Sequence, residues 1–419
     1  MAVAENVPST TQPLLPAGNY ESTTSDFDVR VLANRYPTYF DLLSVTPNQD
    51  DSIDAIVVPA ARSVEHIETA ALLAKAVGTL LIAFCSHDAA SDQVARRLDD
   101  LSVPRWAAID MPPGYTLPSV KLTAAERIPP VARRTHPSNL SDKRNSGIAL
   151  GKMAGMNKIL FIDDDVVMTF KTVRSASRML AGYAVAGLRC GGFPDKAVVD
   201  HAEQAITRHH RGSIYSTPKQ AGHISGNSVT VDVQNSGIFF PQEIYDEDLF
   251  AFYDLYSARR AVLVDNCYFQ DAFDPFANPD RARTEEFGEI LTHGLYQHMQ
   301  KQRSVGLTDK RYWNEVITHR RWLIGYLLQG LDAPQKRQNF GYLTVLPEFD
   351  PQQKEHIRNS LLAALSVNSA ITATMCVDYY RSWRADQMRW QAHLSDLHGG
   401  VPIKDAIDRL QLAAHTNGV

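Results

Sequence analysis

Lys158-Ile159-Leu160-Phe161-Ile162-Asp163-Asp164-Asp165-Val166-Val167 is the stretch on which the fold turns. A run of β-forming apolar residues stops abruptly at three carboxylates. That pattern predicts a buried strand with the acids at its C-terminal tip. In open α/β sheets, ligands bind outside the carboxyl ends of strands. Three acids at one strand end repel one another unless a cation lies among them. Hard oxygen ligands suit Mg²⁺ or Mn²⁺, which also bind phosphate oxygens. An acidic turn is the plainer explanation, so the flanking sequence has to decide.

Upstream, Asp54-Ala55-Ile56-Val57-Val58-Pro59-Ala60-Ala61-Arg62 reads as a buried strand running into a loop. Ser63 can cap a following helix with Ile67, Ala70, Ala71 and Ala74 on one face, and Gly78 ends it. Thr79 to Cys85 is a second strand leading to Ser86-His87-Asp88, Ser91 to Leu101 is a polar helix, and Trp106 to Asp110 is a third strand. Strands alternating with helices at this spacing predict a parallel sheet with right-handed crossovers. Residues 111–137 form a Pro-rich basic loop that could act as a lid. Ser138 or Ser141 can cap the helix carrying Lys143, Arg144 and Asn145, which places them at a helix N-terminus where an anion binds. Small residues on it (Gly147, Ala149, Gly151, Ala154) allow close packing on the sheet.

Downstream of the acids, Gly222-His223-Ile224-Ser225-Gly226-Asn227-Ser228 is a loop rich in small donors. Tyr245-Asp246-Glu247-Asp248 opens an amphipathic helix. Acids there suit the helix dipole, and one of them could be a general base. A strand from Ala261 to Asp265 leads to Phe269-Gln270-Asp271. A long helix over residues 283–303 carries Glu285 and Glu286, a second candidate acidic pair. The remaining segment is mainly helical, with Trp313, Trp322, Tyr379, Tyr380 and Trp383 as packing residues.

Of the 419 residues, 44% are hydrophobic and 21% charged, a globular composition. A net charge of −5 argues against a nucleic-acid partner. Cys85, Cys190, Cys267 and Cys376 lie far apart, as free thiols of a reducing compartment do. Residues 1–27 read as a disordered tail without a signal peptide. No window is long and apolar enough to span a bilayer. The expected location is therefore cytoplasmic.

Taken in order, these features resemble the GT-A glycosyltransferases, in particular family 2-like enzymes, over roughly residues 53–300. The resemblance implies an α/β fold, a Rossmann-like mixed sheet flanked by helices, with a donor half at 28–165, an acceptor half at 166–300 and a helical C-terminal region at 301–419. That last region would close the acceptor side or form a homodimer interface. The acids match the DxD motif, so Asp163 and Asp165, with Asp164 between them, would hold Mn²⁺ or Mg²⁺ against the diphosphate of a nucleoside-diphosphate sugar. Pro59, Ala60, Arg62 and Asp88 match the nucleoside-binding edge, and Lys143, Arg144 and Asn145 the donor-contacting helix. Ser225, Gly226 and Asn227 look like the acceptor loop. Glu247 and Asp248 look like the ED pair, with Asp248 as base in an inverting enzyme. Where the family places a metal-binding His, this chain has Tyr268-Phe269-Gln270-Asp271, leaving Gln270 or Asp271 as third ligand. The acceptor loop is followed by Ser228-Val229 in place of a bulky basic residue.

The chemistry is coherent on its own terms. A leaving diphosphate must be neutralised by a cation, by Lys or Arg, and by helix amides. The acceptor, expected to be a small molecule or soluble glycan, must lose a hydroxyl proton to a carboxylate. Other readings are a haloacid-dehalogenase-type phosphatase with Asp163 as nucleophile and Asp165 beside it, a sugar-phosphate nucleotidyltransferase, and a binding protein without turnover. The first lacks its downstream Lys and Gly-Asp…Asp pair. The second lacks a Gly-rich loop after the first strand.

Overall fold

The computed structural model describes residues 51–191, 193, 195–211, 224–270, 272–301, 306–333 and 349–419. The expected tail at 1–27, the lead-in at 28–50, Gly222, His223, Asp271 and the segment Asn339 to Leu346 lie outside them.

The first half of the sheet, residues 54–162, follows the strand–helix alternation. Strands β1 (Ala55–Val58), β2 (Leu80–Cys85), β3 (Trp106–Asp110) and β4 (Lys158–Ile162) are joined by α1 (Glu68–Val77), α2 (Ser91–Asp100) and α3 (Leu140–Ala154). All four strands are parallel, in the order β3-β2-β1-β4. The chain thus moves outward from β1 to β3 and then returns to the other flank of β1. That reversal creates a crevice between the carboxyl ends of β1 and β4, the usual place for a ligand in such sheets.

β5 (Val166–Val167), α4 (Phe170–Met179), β6 (Val185–Cys190), α5 (Val198–Arg211), β7 (Ser228–Asp232), α6 (Glu247–Ser257), β8 (Ala261–Gln270) and α7 (Pro279–Lys301) follow. β7 is antiparallel to β4, with Ser228 opposite Ile162, so the loop entering β7 arrives where the acids leave β4. β8 runs parallel to β6 and pairs at its end with β5, Val166 opposite Gln270. Among the described residues the mixed sheet has nine strands, in the order β5-β8-β6-β7-β4-β1-β2-β3-β9.

Alternate residues along the central strands feed two layers, as a period of two requires. Ile56, Val58, Leu81, Ala83, Leu160 and Ile162 pack with α1, α2 and α4. Val57, Ile82, Phe84, Ile159 and Phe161 pack with α3 and the helices beyond it. Gly147 of α3 admits this approach: a Cβ there would come within 3.0 Å of Phe161 and Val57.

The C-terminal region is mainly helical and packs into the core of the sheet. After α8 (Lys310–Asp332) come α9 (Pro351–Ala370), α10 (Ala373–Asp396), α11 (Ile403–Arg409) and β9 (Ala413–Asn417). Tyr379, Trp383 and Trp390 share one core with Phe250, Phe239 and the β1–β4 strands. The Trp390 indole donates to Ile238 O at 2.5 Å. Each aromatic of this kind buries about 150–250 Å², roughly 4–6 kcal/mol of gross hydrophobic gain at about 25 cal/mol/Å². β9, which the sequence reading missed, closes the edge at β3 in antiparallel register. Loop 111–137 is pinned where a lid was expected. The Asp386 carboxylate accepts the N–H groups of Thr123 and Ala124, Tyr115 Oη donates to Leu410 O, and the Arg283 guanidinium donates to Val131 O and Arg133 O.

Among the described residues no single helix is long and apolar enough to cross a membrane. Cys85 and Cys376 are free thiols, and both they and Cys190 are buried.

Candidate active site at the carboxyl edge of the sheet

The acidic triplet begins one residue beyond β4. Asp163 N–H donates to Asn227 O at 3.0 Å, which ties the triplet to the loop before β7. Asp164 turns back to the loop after β1, where its Oδ2 accepts the N–H of Ala61 at 2.9 Å and of Arg62 at 3.0 Å. The Arg62 guanidinium lies 2.9 Å from Asp165 Oδ2. Pro59 and Ala60 are buried behind this contact. The Asp88 side chain is exposed, and its backbone N–H holds Ala61 O at 3.1 Å, so it shapes the loop from outside.

Asn139 is the N-cap residue of α3; Ser138 Oγ accepts the Leu140 N–H at 3.4 Å, whereas Ser141 Oγ donates to Pro241 O. The helix starts at Leu140 behind Asn139, and Lys143, Arg144 and Asn145 fall beyond its first three residues, all buried. Lys143 Nζ donates to Ala60 O at 2.7 Å and to Ser86 Oγ at 2.6 Å. Burial pulls this ammonium down to about 8, against the opposing pull of Cys85, Asp164 and Asp163. Arg144 is the centre of the site. One nitrogen is 2.6 Å from Glu247 Oε1 and the other 3.0 Å from Asp163 Oδ1, with the guanidinium 5.4 Å from the Phe240 ring centroid. Asn145 does not face this edge. Its amide donates to Phe240 O and accepts from Phe240 N–H, so it braces the segment leading to α6 where a donor contact was expected.

Gly226 is fixed by its surroundings: a Cβ there would fall 2.6 Å from the Arg144 guanidinium and 3.0 Å from Asp248 Cβ. The bare backbone lets Gly226 N–H reach Asp248 Oδ2 at 2.7 Å, while Asp248 Oδ1 accepts Leu249 N–H at 2.7 Å. Each oxygen keeps a second lone pair. Burial raises the Asp248 carboxyl, and the Gly226 N–H opposes the rise. Burial also raises Glu247 against Arg144, and pushes Asp163 up to about 6 despite the same guanidinium. Asp246, just before the pair, adopts a left-handed backbone at φ 63°. That bend turns the start of α6 toward the loop.

Gln270 sits at the end of β8 and joins both sides. Its Nε2 donates to Asp165 Oδ2 at 3.0 Å, and its Oε1 accepts from Asn227 Nδ2 at 3.0 Å. A carboxylate only accepts, so the amide nitrogen must face Asp165. Gln270 therefore orients Asp165, and its own oxygen, which accepts from Asn227, keeps a second lone pair. Ser225 is half-buried in the same loop.

The second acidic pair lies elsewhere. Glu285 accepts Val198 N–H at the start of α5 and Arg281 Nε, and Glu286 is held by Arg320 and Asn368. Next to them Asp200, Glu289 and His293 have ligand-capable atoms within 4.8 Å of one another. Arg320 already provides a positive charge there, 2.9 Å from Glu289 Oε2 and 3.7 Å from Asp200 Oδ1.

The partners Ser86 and Phe240 were missed from sequence. Phe240 looked like strand core, and nothing local marks the partner of a Lys 57 residues away. No protein-family model matches the chain, and no curated protein matches it in sequence.

Proposed function

We propose that the chain is a divalent-metal-dependent GT-A glycosyltransferase that moves a sugar from a nucleoside diphosphate to a hydroxyl of a small-molecule or soluble glycan acceptor. The observation that carries this reading is the convergence of the triplet, the Gly226 loop and the Glu247–Asp248 pair on one edge, at the β1/β4 crevice. Five carboxylates (Asp163, Asp164, Asp165, Glu247, Asp248) meet three cations in direct contact with them or their loop, Arg62, Lys143 and Arg144. Carboxylates outnumber cations at this edge, an imbalance that a divalent cation offsets.

The donor set fits such an ion: carboxylate oxygens suit Mg²⁺ or Mn²⁺. Asp165 and Asp163 would hold it, with Gln270 orienting Asp165. When bound, the cation supplies Lewis-acid stabilisation of the leaving diphosphate. Lys143 and Arg62 add positive charge on the same side. Asp248 accepts the proton of the acceptor hydroxyl. Its burial raises its basicity, and its two backbone hydrogen bonds hold it in place. Glu247, neutralised by Arg144, keeps that guanidinium between the donor and acceptor sides. A nucleophilic role for Asp163 is less compatible, because both its oxygens engage Arg144 Nη2, at 3.0 and 3.3 Å.

The test is thermal unfolding with uridine and guanosine diphosphates, each with and without Mn²⁺. A specific ligand at 100 times its Kd adds about 2.7 kcal/mol. Stabilisation by one diphosphate only when metal is present is the expected result. No shift with either nucleotide under any metal would overturn the proposal.

A further inference from the structure

We propose that Arg62 is a placeholder for the cation: it covers the outer face of the acidic triplet until metal arrives, then transfers to the donor diphosphate. The transfer rests on the glycosyltransferase reading; the placeholding does not. The three cations of the site differ in freedom. Lys143 and Arg144 are buried almost completely and fixed by two partners each. The Arg62 side chain is 49% exposed, while Asp164 and Asp165 beneath it are only 10% and 7% exposed. Its guanidinium lies 2.9 Å from Asp165 Oδ2 and 3.7 Å from Asp164 Oδ1, so it occupies the solvent side of the two carboxylates through which an ion must enter.

The backbone of Arg62 is held separately. Its N–H and that of Ala61 are fixed by Asp164 Oδ2, and Ala60 O by Lys143. The side chain can therefore leave while the loop stays in register. A guanidinium and a divalent ion compete for the same carboxylate oxygens, so metal alone must displace Arg62 to bind. The planar fork of an Arg suits two oxygens of a phosphate. A diphosphate arriving with the metal offers the displaced guanidinium a new partner. Metal and diphosphate then assist each other, and linkage makes that assistance reciprocal.

The experiment measures Mn²⁺ binding to the full chain by calorimetry, in wild type, Arg62→Ala and Asp165→Ala, first alone and then with uridine or guanosine diphosphate. Expected is Mn²⁺ alone binding about fivefold tighter to Arg62→Ala, the size of a partly exposed ion pair, and not binding to Asp165→Ala. The gain in Mn²⁺ affinity that diphosphate gives wild type shrinks toward one in Arg62→Ala. Equal or weaker Mn²⁺ binding by Arg62→Ala overturns the placeholder while leaving the glycosyltransferase reading intact. Tighter Mn²⁺ binding with no diphosphate bound by either protein supports the placeholder and overturns the glycosyltransferase reading. No Mn²⁺ binding to wild type or Arg62→Ala overturns both.

Discussion

Replacing Arg144 with Met removes the guanidinium that bridges Asp163 and Glu247. Arg144 is 2% exposed and contacts Glu247 at 2.6 Å and Asp163 at 3.0 Å. Met keeps much of the volume and the packing on Phe240, so the change is chiefly one of charge. Breaking a buried pair by deleting one partner costs about 3–5 kcal/mol, because a charge is left uncompensated. The cost must depend on pH. Asp163 is already pushed up to about 6 by burial, and Glu247 is raised by burial as well. A carboxyl whose folded pKa lies above its ordinary value favours the fold at low pH and loses that advantage as pH rises from about 4 through the folded value. Deleting Arg144 removes the largest influence opposing burial at both acids, so both windows extend upward. At pH 8 the variant bears nearly the whole penalty. At pH 5 the two acids take up protons and the penalty mostly disappears. For a chain of this size about 1 °C of Tm accompanies each kcal/mol, so a loss of about 3–6 °C is expected at pH 8 and about 1 °C or less at pH 5. Thermal unfolding of both proteins at pH 5, 6.5 and 8 decides the matter. A deficit that is the same at every pH, or under about 1 kcal/mol at pH 8, would refute the assignment of Arg144 as the charge that holds these acids.

Three further outcomes follow from the same geometry. Asp248→Asn should lower nucleotide-sugar turnover, with water or sugar as acceptor, by about 10²–10⁴-fold while diphosphate binding stays unchanged; undiminished turnover would remove Asp248 from the base role. Gly226→Ala forces a methyl to within 2.6 Å of Arg144, and overpacking of this kind costs about 1–3 kcal/mol; a melting point equal to wild type would show that the loop yields freely. Arg320→Met strands Glu286 and Glu289 at about 3–5 kcal/mol, and because burial has already pushed Glu289 up to about 8, the loss should be smaller at pH 6 than at pH 9 in denaturant melts.

What the sequence made legible was local. β1, β2 and β4 are short uninterrupted apolar runs because helices cover both faces, and such runs are readable without knowing their neighbours. The acids after Ile162 and the acids opening α6 were legible because each sits at the boundary of such an element. What failed was pairing across long separations. β9, Ala413-Ala414-His415-Thr416-Asn417, has neither alternation nor an apolar run, since four of its five residues are exposed and it is held by ladder bonds to β3. Loop 111–137 reads as mobile from its prolines, yet its anchor is a carboxylate 263 residues away. Asn145 beside Arg144 looked equally suited to a donor, and only the fold reveals that its amide belongs to Phe240.

The same long-range pairing bears on why the C-terminal helices accompany the sheet. The carboxyl of Asp246, on the residue before Glu247, accepts from Thr292 Oγ1 of α7 at 2.9 Å. Burial and the neighbouring Glu289 raise its pKa well above the carboxylate range, as two acids sharing one proton require. Glu289 in turn meets Arg320 of α8, Arg320 meets Glu286, and Glu286 is held by Asn368 of α9. The left-handed backbone at Asp246 is a conformation that non-glycine residues keep only under constraint. The Asp246 side chain is held from α7 by Thr292. The bend from which Glu247 and Asp248 leave thus rests on α7, and α7 is backed in turn by α8 and α9 from beyond residue 300. The helices from α7 to α9 are better understood as the rear support of the acid pair than as a cover added to a finished domain.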